Sequence, residues 1–368
     1  MQFRISIIPH TLQFRFDART SRGAVSEHHV YFLKIWSLYD PSIYGVGECA
    51  PLAGLSIDHT PALQNKLLEV TQKINSGEVK LKFEGALPDE LELCNWPSLC
   101  FALETALLDL KCGGRRILYR NSFSKGEKGI PINGLIWMGD KSFMQEQIKA
   151  KLSEGYNCIK LKIGSLNFES ELDLLQMIRE TAQVDDLTIR VDANGAFNVE
   201  DVSRKLERLA KYNIHSIEQP IRKGQTEQLA QLCANSPIHI ALDEELIGIS
   251  NSEGREKLIQ DIKPHYIILK PTLTGGFQAS ADWIRLAENN QVGWWLTSAL
   301  ESNIGLNAIS QFSANYTTNM PQGLGTGQLY HNNLGSPLTI KKGKLWYNRN
   351  KEWEQPEGLP LFNLQNSF

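Results

Sequence analysis

The chain lacks most of the features that mark a membrane, secreted, metal-finger or nucleic-acid-binding protein. Its six cysteines (Cys49, Cys94, Cys100, Cys112, Cys158 and Cys233) include no Cys-x-x-Cys pair. They lie mostly among apolar neighbours, so they read as reduced core thiols rather than as zinc ligands or a disulfide framework. No apolar run approaches the roughly 18–20 residues that span a bilayer, and Arg4 and Pro9 interrupt the N-terminal segment before a secretory core develops. No membrane association is therefore expected, and the expected location is the cytoplasm. Lys and Arg total 38 against 41 Asp and Glu, a net charge of −3, and no basic cluster stands out in the sequence. A nucleic-acid partner is not expected on that balance. His10, His28, His29, His215, His239 and His265 show no metal-ligand spacing and read as structural or surface residues. What remains is 368 residues, 42% hydrophobic and 21% charged, the composition of an ordinary folded protein with a large core. Small-molecule chemistry is the natural expectation.

From about residue 130 onward, strand-like runs alternate with helix-like stretches at a nearly fixed period. The runs begin at Gly129, Cys158, Leu187, Ile214, Ile238, Tyr266, Gly293 and Pro321, successive starts lying 24 to 29 residues apart. Amphipathic stretches such as Glu169–Thr181, Val199–Tyr212 and Phe277–Asn289 fall between them. A parallel strand needs a long right-handed crossover to return, so eight strands and seven helices predict an α/β fold, a closed (β/α)7β barrel of modified TIM type. An open doubly wound sheet is the alternative, but it would more often show a Gly-rich phosphate turn after its first strand, and none is present. Residues 1–125 read differently: His29–Ser37 alternates as an antiparallel strand does, and Pro97–Leu110 is helical. They predict an N-terminal α+β capping domain, joined by the C-terminal segment 331–368. The Gly113–Lys128 stretch marks the boundary, and the barrel takes 126–330.

Ligands of such a barrel bind at the C-terminal ends of its strands. The second strand ends Ile159-Lys160-Leu161-Lys162-Ile163, and period-two alternation puts both lysines on the inner face. An unpaired buried ammonium is costly, so the pair needs neighbouring anions or a function. The next three strands end in Asp192, Glu218 and Asp243, one carboxylate each. Three carboxylates in one mouth repel unless a hard cation lies between them, which predicts a divalent metal site, with helix capping as the ordinary alternative for any one of them. The sixth strand ends in Lys270, across the barrel from Lys162. A metal flanked by two lysines suits removal of a weakly acidic proton beside a carboxylate.

These residues, in this order and at these separations, resemble the enolase superfamily in its muconate-lactonising subgroup over nearly the whole chain. The resemblance implies Mg²⁺ (with Mn²⁺ as a substitute) held by Asp192, Glu218 and Asp243. It further implies Lys162 as the base, Lys270 as a cation on the opposite face, and Lys160 as an assistant that contacts the carboxylate. Asn194 is expected just behind the metal ligands. The segments Gly47–Leu52, Asn133–Ile136 and Ser298–Gly305 are similar to a dehydratase branch of menaquinone biosynthesis. That similarity implies proton abstraction from a cyclohexadiene carboxylate followed by loss of hydroxide. N-acylamino acid racemisation or epimerisation, and muconate-type cycloisomerisation, remain open on the same site. Gly323–Gly327 lacks the Asp-x-Asp that holds a substrate ammonium in dipeptide epimerases, which counts against a cationic substrate. Ser298, Gly325, Thr326 and Arg22 are the candidate contacts to a small-molecule carboxylate substrate, with Ser21–Gly23 and Pro51–Ser56 as the specificity loops. For Arg22 a solvated loop residue is the preferred reading, and homo-oligomerisation stays open.

Overall fold

The structure is a computed structural model describing residues 2–20, 23–317 and 320–354. Strands Phe3–Thr20, Gly23–Ser37 and Asp40–Cys49 pair antiparallel in chain order. Alternation sends Phe3, Ile5, Leu33 and Ile35 to one face, against helices Ala62–Ser76 and Pro97–Lys111. It sends Leu12, Phe14, Val30, Phe32 and Val46 to the other face, which packs on Trp137, Ile304 and Tyr330. The helix Pro97–Lys111 lies directly on the third strand, because a Cβ at Gly47 would stand 1.9 Å from the Ala102 carbonyl oxygen.

The barrel is built from seven parallel strands in sequential neighbourhood: Gly134–Ile136, Cys158–Lys162, Thr188–Asp192, Ile214–Glu218, His239–Leu242, Tyr266–Leu269 and Gly293–Leu296. The run expected as an eighth strand closes the ring with single bridges, Gln322 to Ile132 and Gly323 to Thr297. The Asn133 N–H donates to the Gln322 carbonyl (3.0 Å), and the Gly323 N–H donates to that of Leu296 (2.8 Å). Pro321, Gly323 and Gly325 explain why no longer ladder forms there. The first strand also differs from expectation. Ile130–Pro131 pairs antiparallel with Lys344–Tyr347, and Gly134–Ile136 is the part that pairs with the second barrel strand. The helices expected in sequence appear at Phe168–Thr181, Val199–Ala210 and Gly276–Asn289. Ile159, Leu161 and Ile163 are fully buried between strands and helices.

After the barrel the chain runs along the first strand, where His331 N–H donates to the Gln13 carbonyl (2.8 Å), before Leu338–Lys341 and Lys344–Tyr347 form their hairpin beneath Ile130. Among the described residues no helix is long and apolar enough to cross a membrane. The cysteines are free, but only Cys49, Cys158 and Cys233 are buried; Cys94 and Cys112 are exposed. Folding also gathers Lys111, Arg115, Arg120, Lys125 and Arg349 around one surface groove, a basic cluster the linear sequence does not display.

Cap and barrel are joined by buried carboxylates. Glu104 accepts the Phe277 N–H at the start of helix Gly276–Asn289, and burial raises its carboxyl to about 7. A carboxyl held above its ordinary value stabilises the fold at low pH, and that contribution is lost as pH rises from about 4.5 through 7. Glu104→Gln should therefore gain on the parent as pH rises from 5 to 8, by up to about 3 kcal/mol. Urea unfolding at the two pH values measures this, and a stability gap independent of pH would contradict it.

Candidate active site

Register decides which ionic groups meet. Lys162 pairs with Asp192 and Asp192 with Glu218 across adjacent parallel strands, and Asp243 follows at the end of the next strand. The second strand's alternation turns Lys160 and Lys162 inward, as the spacing predicts. Lys160 Nζ lies 2.8 Å from Asp192 Oδ2 and 2.5 Å from Glu218 Oε2. Lys162 Nζ donates to Asp192 Oδ2 (3.0 Å) and to Asn194 Oδ1 (2.6 Å). Lys270 donates to Asp243 Oδ2. The row of carboxylates is thus bounded by Lys162 on one side and Lys270 on the other.

Helix capping does not account for the three acids. The helices that follow have Asn198, Gln225 and Asn251 at their N-cap positions, and Asp243 makes no side-chain cap to the short turn Glu244–Leu246. Charge dominates instead. Burial works against ionisation of Asp192, yet Lys160 and Lys162 hold it well below the ordinary range. Burial, then the neighbouring Asp192, pushes Glu218 up to about 8. Burial opposes the Lys160 and Lys270 ammoniums, but the carboxylates beside them prevail and raise both.

The donor set fits a hard divalent cation: three carboxylates on consecutive strands, with Glu218 Oε1 buried and without a hydrogen-bond partner. As the side chains stand, the ammoniums of Lys160 and Lys270 between them take one oxygen of each acid. Among the described residues no group of three His, Cys, Asp or Glu is already arranged to hold a metal.

Above this floor lies a cavity of about 90 Å³, lined by Lys160, Lys162, Asp192, Asn194 and Lys270, by Ser298, Gly325 and Thr326, and by Leu52, Leu55 and Trp137. All the expected contacts except Arg22 are therefore brought together; Arg22 lies outside the described residues. The Pro51–Ser56 loop does reach the site, through Leu52 and Leu55. Ser298 differs from expectation in its hydrogen bonding. It donates to Glu301 Oε2 (2.7 Å) and accepts from Leu300 N (2.9 Å) and Thr326 Oγ1 (2.8 Å), so its proton points away from the cavity. In a larger cavity of about 520 Å³ elsewhere, Arg255 pairs with Asp282 and Glu104 accepts from Phe277 N.

Sequence reasoning missed Glu244, which accepts from Asn194 Nδ2 (3.0 Å), and Glu301 behind Ser298. Adjacency to Asp243 was the available signal for the first, and a lone acid in the Ser298–Gly305 run for the second. His28 is buried against the Leu300 and Pro51 carbonyls, as a structural histidine should be.

The chain belongs to the enolase superfamily: the family model described as enolase C-terminal domain-like matches residues 144–350. It is 46% identical over 357 residues to the o-succinylbenzoate synthase of Desulfotalea psychrophila, covering 91% of this chain and 96% of that protein. A crystal structure of MenC from the same organism superposes with a TM-score of 0.82 at 41% identity, covering 94% of this chain and all of that one. A D-Ala-D/L-Ala epimerase of Cytophaga hutchinsonii is 32% identical over 269 residues, 72% of this chain and 71% of that protein.

Lys160→Met removes the ammonium that Asp192 and Glu218 share, leaving two buried carboxylates without it. Urea unfolding with metal chelated should show a loss of about 3–5 kcal/mol; an unchanged midpoint would show that the pair is balanced by other charges.

Proposed function

We propose that this chain is an o-succinylbenzoate synthase, a hydro-lyase that dehydrates a succinyl-hydroxycyclohexadiene carboxylate to o-succinylbenzoate. The observation that carries the reaction class is the pair of lysines that bound one row of carboxylates and line one cavity together with Asp192. The substrate follows from the 46% identity to the enzyme of that name.

Asp192, Glu218 and Asp243 would hold Mg²⁺, with Mn²⁺ as a substitute, and the ion would neutralise charge on the substrate carboxylate. Lys162 takes the proton from the carbon alpha to that carboxylate, forming its C–H electron pair into an enediolate. Lys270 supplies positive charge on the opposite face of the ring. The C–O bond then breaks, the leaving hydroxide takes the proton back from Lys162 and departs as water, and the ring becomes aromatic. Lys160 keeps the local potential positive, and Asn194 fixes Lys162 by its 2.6 Å contact. Burial excludes water from the proton carried between the two steps.

The same reading makes 1–125 with 331–368 a capping unit over a 126–330 barrel. It assigns the enzyme to menaquinone biosynthesis in the cytoplasm, free or as a homo-oligomer and without a nucleic-acid partner, the net charge being −3.

Incubation with the cyclohexadiene carboxylate should yield the aromatic product. Exchange of the alpha proton of an N-acylamino acid without dehydration would favour the racemase reading instead. Lys162→Ala should lower turnover at least a thousandfold, with circular dichroism unchanged, and substantial residual activity would remove Lys162 as the base. Exhaustive chelation should abolish activity and added Mg²⁺ restore it; full activity after chelation would remove the metal from the account.

A further inference from the structure

Glu301 is fully buried and does not line the cavity, yet one carboxylate gathers donors from two separate loops of the barrel mouth. Its Oε1 accepts from the Thr272 hydroxyl, in the first turn after Lys270. Its Oε2 accepts from the Ser298 hydroxyl (2.7 Å) and the Ala299 N–H (2.9 Å), just after the seventh strand. Ser298 in turn accepts from Thr326 Oγ1, after the closing strand (2.8 Å). The chain makes room for this: a Cβ at Gly305 would stand 2.6 Å from the Glu301 Cβ.

Resting on the reading of the site given above, we propose that Glu301 is a positioning residue. Through Thr272 it fixes the turn that carries Lys270, and through Ser298 it ties that turn to the neighbouring loop after the seventh strand. The Lys270 ammonium acts across space on a developing charge, where an error of about 1 Å is costly in rate. Loosening its turn affects the charged species formed in the reaction more than it affects bound substrate, so kcat should fall while KM holds.

The test combines hydrogen exchange with kinetics on the metal-loaded full chain. In Glu301→Gln, backbone amides of 271–275 and of 297–302 should lose protection together, and kcat should fall about tenfold with KM within twofold. Thr272→Val should reproduce the kinetic loss and Thr272→Ser should recover most of it, while the Glu301→Gln/Thr272→Val double variant should be no worse than the poorer single. Loss of protection confined to 297–302, a Thr272→Ser variant as poor as Thr272→Val, or losses that multiply in the double variant would overturn the proposal. Should Glu301→Gln fail to fold, the Thr272 pair decides. Absence of dehydratase activity in the parent would sink the reading of the reaction alone, and the exchange arm would still judge Glu301.

Discussion

Three carboxylates buried within one barrel mouth can coexist only if positive charge shares the space with them. Coulomb repulsion grows as water leaves, and no rearrangement of neutral groups offsets it. Here Lys160 bridges Asp192 and Glu218, and Lys270 meets Asp243. The opposite shifts of two neighbours, Asp192 down and Glu218 up, express the same constraint, since one carboxylate captures most of the local cationic field and the other bears the cost of burial. On the proposed function, the same groups that balance this charge would hold a hard cation and control a proton. That is why catalysis and stability cannot be separated at these positions.

Around the site stands a second set of acids that touches no substrate space. Glu48, from the third strand of the cap, accepts from Ser302 N, Ser302 Oγ and Gly305 N at the start of helix Asn303–Ser313. Asp109 accepts from Val46 N and Arg116 N, and Glu104 from Phe277 N. Burial raises all three, Glu48 to about 7 and Asp109 to about 6. Each satisfies backbone N–H groups that a loop or helix start would otherwise leave buried and unpaired. The Glu48 and Glu104 contacts cross from cap to barrel, where Leu52 and Leu55 of the cap line the cavity, while Asp109 ties segments within the cap.

A barrel of this kind leaves the identity of the reaction to its rim. The lysines and acids belong to strand ends whose positions the sheet dictates, so they can serve any proton abstraction beside a carboxylate. The rim residues Ser298 and Thr326 on one side, and Leu52 to Leu55 on the other, lie in loops, which the barrel strands do not constrain.

The barrel and its ionic ends were legible because two periods are local properties of the chain. One is the recurrence of strand and helix. The other is the alternation within strands that turns Lys160, Lys162 and Asp192 inward. The splitting of Ile130–Pro131 from Gly134–Ile136, and the closure through single bridges at Gln322 and Gly323, were not legible. They depend on which distant segment arrives to pair. Glu301, Glu104 and Glu48 read in sequence as ordinary acids, and the basic groove from Lys111 to Arg349 reads as scattered charge. Their partners lie up to 257 residues away, so no spacing announces them. The sequence by itself determined the kind of fold and the charged groups at its mouth, since both follow from neighbours a few bonds or one strand apart. Only the tertiary structure decided which groups are paired, which way the Ser298 proton points and what lies buried behind the site, because those depend on burial and on contacts between segments remote along the chain.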